Sequence, residues 1–320
     1  MSRRILVTGG AGFVGSHLCD RLLAGGHKIV ALDDLSHGRI ANLVEARTYG
    51  ERFTFYNMDI RAQGLRDLFE KHEPEVVMHL AAQMNVRVSV DDPMLDASIN
   101  VMGLLNVLES ATRAGVRKVV FTSSGGTIYG DPKRFPIKES VRRGAHPVSP
   151  YGISKQVGEN YLTFYKDAHG LDWTALALAN VYGPRQNPLG EAGVISVFAE
   201  KMLAGEQPFI NGDGEQTRDY VFVDDVVHAF ALAFDKGSGG LFNIGTGVET
   251  SVNQIFKLVA SSARYKGKPE HLPAKEGEVL RSALDASLAG EKLGWKPWTH
   301  LEDGVAETVA FFRGESSPSR

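Results

Sequence analysis

The chain has 320 residues, 43% hydrophobic and 23% charged, with a formal net charge of −3. That length suits one large domain or two smaller ones, and that charge gives no electrostatic footprint for nucleic acid or an acidic membrane surface. A single cysteine, Cys19, excludes an internal disulfide and a cysteine-based zinc centre and suits a reducing cytoplasm; the ten histidines show no H-x-x-H or H-E-x-x-H spacing, so no metal is expected.

From the N-terminus, short apolar runs alternate with helical patterns, which predicts β-α units and a doubly wound parallel sheet of the α/β class. The first run, residues 3–9, is too short for a signal peptide or a membrane span. It leads into a helix over 13–24, closed by Gly25-Gly26. Strands follow at 27–34, 52–59, 75–82, 117–124 and 172–180, with helices near 61–72, 98–114 and 150–168. These strands are near-continuous in apolar character, as strands covered on both faces should be. After about Asn180 the rhythm changes to loops rich in Gly, Pro and Asn. The boundaries predicted are a sheet domain over 1–179, resuming around 222–246 with one more helix and strand, and a smaller loop-rich domain over 180–320. The final "RGESSPSR" reads as a polar end with little structural content.

The turn after the first strand is "VTGGAGFVGSH", with glycines at 9, 10, 12 and 15. Glycine there permits a tight turn, backbone approach to a pyrophosphate and close helix packing, with the phosphates over the helix N-terminus. A glycine pattern alone is weak; here it follows a strand, opens a helix through Phe13 and Val14, and precedes Asp33 by 18 residues counted from Gly15. An acid at the end of the second strand accepts hydrogen bonds from both ribose hydroxyls and repels a 2′-phosphate, favouring NAD over NADP. The turn beyond it, Asp34, Leu35, Ser36 and Gly38, belongs to the same cofactor shell. Asp59 and Ile60 at the third strand, and Leu80, Ala81, Ala82 and Gln83 at the fourth, should border the adenine and pyrophosphate.

The stretch "SPYGISK" (149–155) places a tyrosine and a lysine four residues apart. Ser149 can cap a helix and Pro150 suits its first position, so Tyr151 and Lys155 lie one turn apart on one face. The preceding strand ends in "TSSGGT", with hydroxyls on Thr122, Ser123, Ser124 and Thr127, at the edge that also faces the cofactor. A free phenol has a pKa of ~10 and is a poor base at neutral pH. One positive charge at ~4 Å and an effective dielectric of ~20 contributes about 4 kcal/mol, roughly three pK units, before burial opposes it. Lys155 together with a positive nicotinamide ring would bring Tyr151 toward 7, where general-base catalysis works best.

The glycine loop, the acid of the second strand, the strand-end serines and Y-x-x-x-K together resemble the extended short-chain dehydrogenase/reductase family. The segments "NVYGPRQ", "GDGEQTRDYVFVDDV" and "KLGW" look like its nucleotide-sugar branch, especially the UDP-glucose 4-epimerases, and the similarity runs from residue 3 to about 313. The resemblance implies a Rossmann domain that keeps NAD bound, and C4 epimerisation of a UDP-hexose, UDP-glucose to UDP-galactose, through a transient 4-keto sugar. UDP-glucuronate or UDP-N-acetylglucosamine is the alternative substrate, and a non-catalytic NAD-binding regulator is the alternative class. By resemblance Tyr151 is the base, Lys155 holds the nicotinamide ribose, Ser124 hydrogen-bonds O4 with Ser123 or Thr127 as substitutes, and Asn100, Ser123 and Leu178 complete the cofactor shell. Counting back from Tyr129, the family's usual hydroxyl falls on Gly125, so this sequence departs from the pattern there. Asn180, Arg185, Val194, Arg218, Lys275 and Glu278 are the implied substrate contacts. Lys275 and Glu278 stand where the family usually has Arg and Asp. Dehydratases and decarboxylases carry acids after the strand-end Thr, whereas Gly125 and Gly126 stand here. The family's matching helices pair two subunits, which implies a homodimer; a cytoplasmic location is expected.

Overall fold

The computed structural model describes residues 2–188, 193–274 and 279–314. The first strands are β1 (Arg4–Thr8), β2 (Lys28–Asp33), β3 (Phe53–Asn57), β4 (Val76–His79), β5 (Lys118–Ser124) and β6 (Asp172–Leu178). Four short strands follow, β7 (Asn180–Tyr182), β8 (Phe209–Asn211), β9 (Thr217–Arg218) and β10 (Tyr220–Phe222), before β11 (Gly240–Ile244), β12 (Thr250–Ser251) and β13 (Glu270–Leu272). One seven-stranded sheet has the order β3-β2-β1-β4-β5-β6-β11, parallel at every pairing. The order reverses between β1 and β4, where an open α/β sheet places its ligand crevice. The remaining strands pair two by two, β7 with β10, β8 with β13 and β9 with β12.

The helices are α1 (Phe13–Ala24), α2 (Val44–Arg47), α3 (Leu65–His72), α4 (Val86–Asp91), α5 (Pro93–Ala97), α6 (Gly103–Arg113), α7 (Pro150–His169), α8 (Val194–Leu203), α9 (Val223–Ala233), α10 (Val252–Ala263), α11 (Ser287–Leu293) and α12 (Leu301–Phe312). Alternation along each strand divides the core between the two faces. Ile5 and Val7 pack with Leu18, Leu22 and Phe230 on one side, while Leu6 packs with Phe69, Leu108 and Leu162 on the other. The first of these cores runs on into Phe198, Ile255, Trp295 and Val305, so α8, α10 and α12 share it with the sheet.

Two expectations changed on contact with the structure. The helix placed at 98–114 is the last part of a longer run: α4, α5, a π-turn over Ser98–Met102, then α6. Pro93 starts a fresh helix there, because it cannot donate to the previous turn, and the Asp92 side chain caps it by accepting from Leu95 N. Among the described residues, the region after Asn180 holds four α-helices besides α9, which falls in the segment read as one further helix; they include α10, which opens on a reciprocal Ser251/Gln254 capping box.

Candidate active site

The phosphate loop forms as its glycines require. Gly9 has φ +71, a conformation open to glycine at little cost, and a Cβ at Gly15 would lie 2.0 Å from Gly9 O. Helix α1 therefore packs close over the turn, with Gly12 at its N-cap. Asp33 ends β2 beside it, and its carboxylate accepts from Ala11 N at 3.0 Å and Leu35 N at 2.9 Å. Burial pushes this carboxyl above the usual carboxylate range, with those amides acting against the rise. A Cβ at Gly38 would fall 2.5 Å from Asp33 Oδ1, so a glycine is needed for the chain to pass the acid. These are the features an adenosine ribose and a pyrophosphate require, and the cradle fits NAD.

The other expected cofactor positions divide. Phe13, Val14, Leu80, Ala81 and Ala82 are half-buried around the crevice, and Leu178 is buried at the end of β6. Thr8 accepts from Leu80 N and Ala81 N and is 2.9 Å from His79 Nδ1, which fixes the β4 loop. Asp34 accepts from Ser36 N and Oγ in a local turn. Asp59 is held by Arg61 at 2.6 Å, and Ile60 packs where a Cβ on Gly103 would be. The Gln83 and Asn100 side chains turn inward instead: Asn100 bonds both backbone groups of Gln83, and both amides donate to buried Asp96.

The tyrosine and lysine lie where the sequence put them. Ser149 caps α7 by accepting from Gly152 N at 3.2 Å, and Pro150 occupies the first turn. Tyr151 is half-buried, with its backbone N–H donated to Ser89 Oγ at 3.2 Å. Lys155 is buried, its Nζ donating to Thr122 O at 2.9 Å and standing 5.6 Å from the Tyr151 ring centroid and 4.9 Å from that of Phe121. Burial pulls its pKa down to about 8, with Asp96 and then Glu159 opposing the fall.

Of the strand-end hydroxyls, Ser123 donates to the buried Glu159 at 2.8 Å. Thr127 Oγ1 is enclosed. Ser124, the last residue of β5, is half-exposed. A Cβ at Gly125 would come within 2.3 Å of Leu284 Cδ1 and 3.2 Å of Leu178 O, which explains the glycine at the family's usual hydroxyl position.

On the substrate side, Asn180 and Arg218 come together through the β7–β10 pairing: Asn180 N donates to Asp219 O at 2.9 Å, next to Arg218. The buried Asp219 carboxylate accepts from Thr246 N and Oγ1, Gly247 N and Leu284 N, and so fastens the segments at 246–247 and 284 to the chain between β9 and β10. Val194 opens α8, half-buried. Arg185 turns to α1, binding Asp20 at 2.7 Å and Asn42 O at 3.2 Å. Lys275 and Glu278 lie outside the described residues.

Sequence reasoning missed Asp96, Glu159, Arg142 and Ser89, which support α7 from behind. Glu159 carried a usable signal, since it continues the Tyr151–Lys155 face one further turn on. Among the described residues no helix is long and apolar enough to cross a membrane, and no cluster of His, Cys, Asp or Glu could hold a metal ion.

Comparison with known proteins agrees with this geometry. The model of the NAD dependent epimerase/dehydratase family matches residues 5–245. A UDP-glucose 4-epimerase of Mycolicibacterium smegmatis is 50% identical over 314 residues, 98% of this chain and 99% of the relative. The crystal structure of a Thermotoga maritima UDP-glucose 4-epimerase with UDP-glucose matches at TM-score 0.92 and 48% identity, covering 97% of this chain and 99% of that one. A Thermus thermophilus UDP-glucose 4-epimerase in complex with NAD matches at 0.89 and 40%, with the same coverage. With its glycine cradle, the acid of β2 and the Tyr151–Lys155 pair at one sheet edge, the chain belongs to the NAD dependent epimerase/dehydratase family.

Proposed function

We propose that this protein is an NAD-dependent UDP-glucose 4-epimerase. The observation that carries the reading is the juxtaposition at one sheet edge: Tyr151 and Lys155 on α7 face the hydroxyl-bearing end of β5, beside the crevice that the glycine loop and Asp33 open. Bound NAD supplies a hydride acceptor that later returns the hydride. Tyr151 takes the proton from O4 of the sugar as C4 is oxidised, and gives it back after the 4-keto sugar has presented its other face. Lys155, held on Thr122 O, places a positive charge near that phenol and favours its ionised form. Ser124 is the hydroxyl with access to O4, since Ser123 is engaged with Glu159 and Thr127 Oγ1 is enclosed. Asn180 and Arg218 hold the diphosphate, so the hexose turns while its anchor stays fixed.

The reading extends to assembly and location. Met94, Met102, Ile153 and Phe164 are 79%, 60%, 50% and 56% exposed on elements that pack side by side, α5, the π-turn and α7. An apolar stripe of that kind supports a homodimer built on these helices. The lone, buried Cys19 supports the cytoplasm.

The test is incubation with UDP-glucose, UDP-N-acetylglucosamine and UDP-glucuronate separately, without added cofactor, resolving the C4 epimers by NMR. UDP-glucose should be converted fastest. Tyr151→Phe should keep NAD, measured by absorbance after acid release, and lose turnover by about 10²–10⁴-fold. Undiminished turnover in that variant would remove Tyr151 as the base.

A further inference from the structure

Behind the tyrosine and lysine lies a buried carboxylate with no part in the steps above. Asp96 is fully buried on α5 and receives three donors from three different parts of the fold. Gln83 Nε2 from the β4 loop and Asn100 Nδ2 from the π-turn both donate to Oδ1, at 3.0 and 2.9 Å. Ser154 Oγ, adjacent to Lys155 on α7, donates to Oδ2 at 2.5 Å. All three donors are neutral.

The neighbouring buried acid is different. Glu159, one turn beyond Lys155, has its own cation in Arg142, whose Nε lies 2.9 Å from Oε2, and takes Ser123 Oγ on its other oxygen. His79 stacks on Phe121 and contributes no charge, because burial, with Lys155 adding to it, lowers its pKa to about 3. Tyr151 completes the surroundings of the ammonium. Glu159 already has Arg142 as its cation, whereas Asp96, the first of the two acids that oppose the fall in the Lys155 pKa, is bonded by the three neutral donors.

We propose that Asp96 is a positioning residue for the reaction: it is the counter-charge that keeps buried Lys155 protonated, and it ties the β4 loop, the π-turn and α7 into one support behind Tyr151. This rests on the epimerase reading of the site. An unpaired buried ammonium releases its proton easily, and a neutral Lys155 would no longer favour the tyrosinate. Asp96 thereby extends the pH range over which the base works.

The bonding pattern supplies a substitution that changes charge and little else. In Asp96→Asn the amide oxygen keeps both donors that now meet Oδ1, and the amide nitrogen replaces Oδ2, donating to a reoriented Ser154 hydroxyl. The variant should fold and turn over near pH 6. The alkaline limb of its kcat profile should move to lower pH by about one unit, because Lys155 loses its proton earlier. A uniform loss at every pH, with the limb in place, overturns the proposal and makes Asp96 a structural brace alone. Should the single variant fail to fold, Asp96→Asn/Lys155→Met decides by circular dichroism: a folded double variant supports charge partnership, and an unfolded one overturns it. Wild-type protein inactive on every UDP-sugar would sink the functional reading instead, while the folding comparison still reads the pair.

Discussion

Gly125 stands where the resemblance implies a hydroxyl residue, and the structure says what placing one there would do. In Gly125→Ser the new Cβ arrives 2.3 Å from Leu284 Cδ1 and 2.9 Å from Cδ2, with Leu178 O at 3.2 Å. Leu284 is fully buried in a small cluster with Ile128, Tyr129, Ile137 and Ala177, so its methyl groups cannot swing into open space. Overpacking of this kind costs about 1–3 kcal/mol. At about 2.1 cal/mol/K of unfolding entropy per residue, a chain of 320 residues loses roughly 1.5 °C of Tm per kcal/mol, so the expected drop is about 2–4 °C. Leu284→Ala alone costs about 2–5 kcal/mol through its cavity. The added side chain partly fills that cavity, so the double variant should be less destabilised than the two singles added together by about 1 kcal/mol or more. Thermal unfolding of the wild type, both singles and the double measures this directly. A single variant with unchanged Tm, or a strictly additive double, would refute the packing account of the glycine.

Three other outcomes are expected. Replacing Phe164 and Met94 with glutamate should convert the proposed homodimer to a monomer in light scattering after gel filtration, because two charges would enter an apolar stripe; an unchanged mass would place the subunit contact elsewhere. His17 is held neutral, burial with help from Arg185 lowering its pKa to about 4. Unfolding at pH 5 therefore takes up a proton there, stability falls as pH drops from 6.5 toward 4, and His17→Gln should reduce that slope by up to about 1.4 kcal/mol per pH unit in urea titrations. Ser124→Ala should reduce kcat by about 10-fold or more while Thr127→Ala changes it little, in the order set by their exposure; the reverse order would make Thr127 the partner of O4.

The parts of this protein that announce themselves in the sequence are those where one residue type has one use. The glycine loop before α1 and the Ser-Pro start of α7 were legible because turn and cap chemistry is local, and the first six sheet strands were legible because burial on both faces makes them continuously apolar. Helices α8, α10 and α12 were obscured by the glycines and prolines between them, although Ser251 and Gln254 marked the start of α10. The support behind the site was hidden for another reason. Asp96 and Glu159 look in sequence like charges on solvated helix faces, and only the packing of α5 against α7, and of α7 against β5, buries them. Gln83 and Asn100 were expected at the cofactor; the Asn100 amide holds the Gln83 backbone and both amides donate to Asp96, contacts of the tertiary structure that no spacing reveals.

Arg185 separates the two kinds of role most sharply. It was expected to face substrate, where a guanidinium would suit a carboxylate at C6 of the sugar. The structure instead gives it a left-handed backbone, φ 66, and a 2.7 Å ion pair with Asp20, both side chains about one-fifth exposed. Around it, His17 Nε2 lies 2.9 Å from Pro184 O, Arg39 reaches Asn187 at 2.9 Å, and Asn42 donates to Ala11 O. The loop after β7 is thus fastened to α1 and to the turn that passes Asp33, joining the substrate side of the crevice to the adenosine side. Burial raises the Asp20 pKa and Arg185 opposes the rise, so removing the cation strands a largely enclosed carboxylate. Losing one partner of a fully buried pair costs about 3–5 kcal/mol, and the partial exposure here brings Arg185→Met to about 2–3 kcal/mol. Adding Asp20→Asn should recover most of that loss, while KM for UDP-glucose stays within about twofold of wild type because the guanidinium serves the loop and leaves the sugar alone. If Tm holds and KM rises about tenfold, the brace is wrong and Arg185 belongs to the substrate.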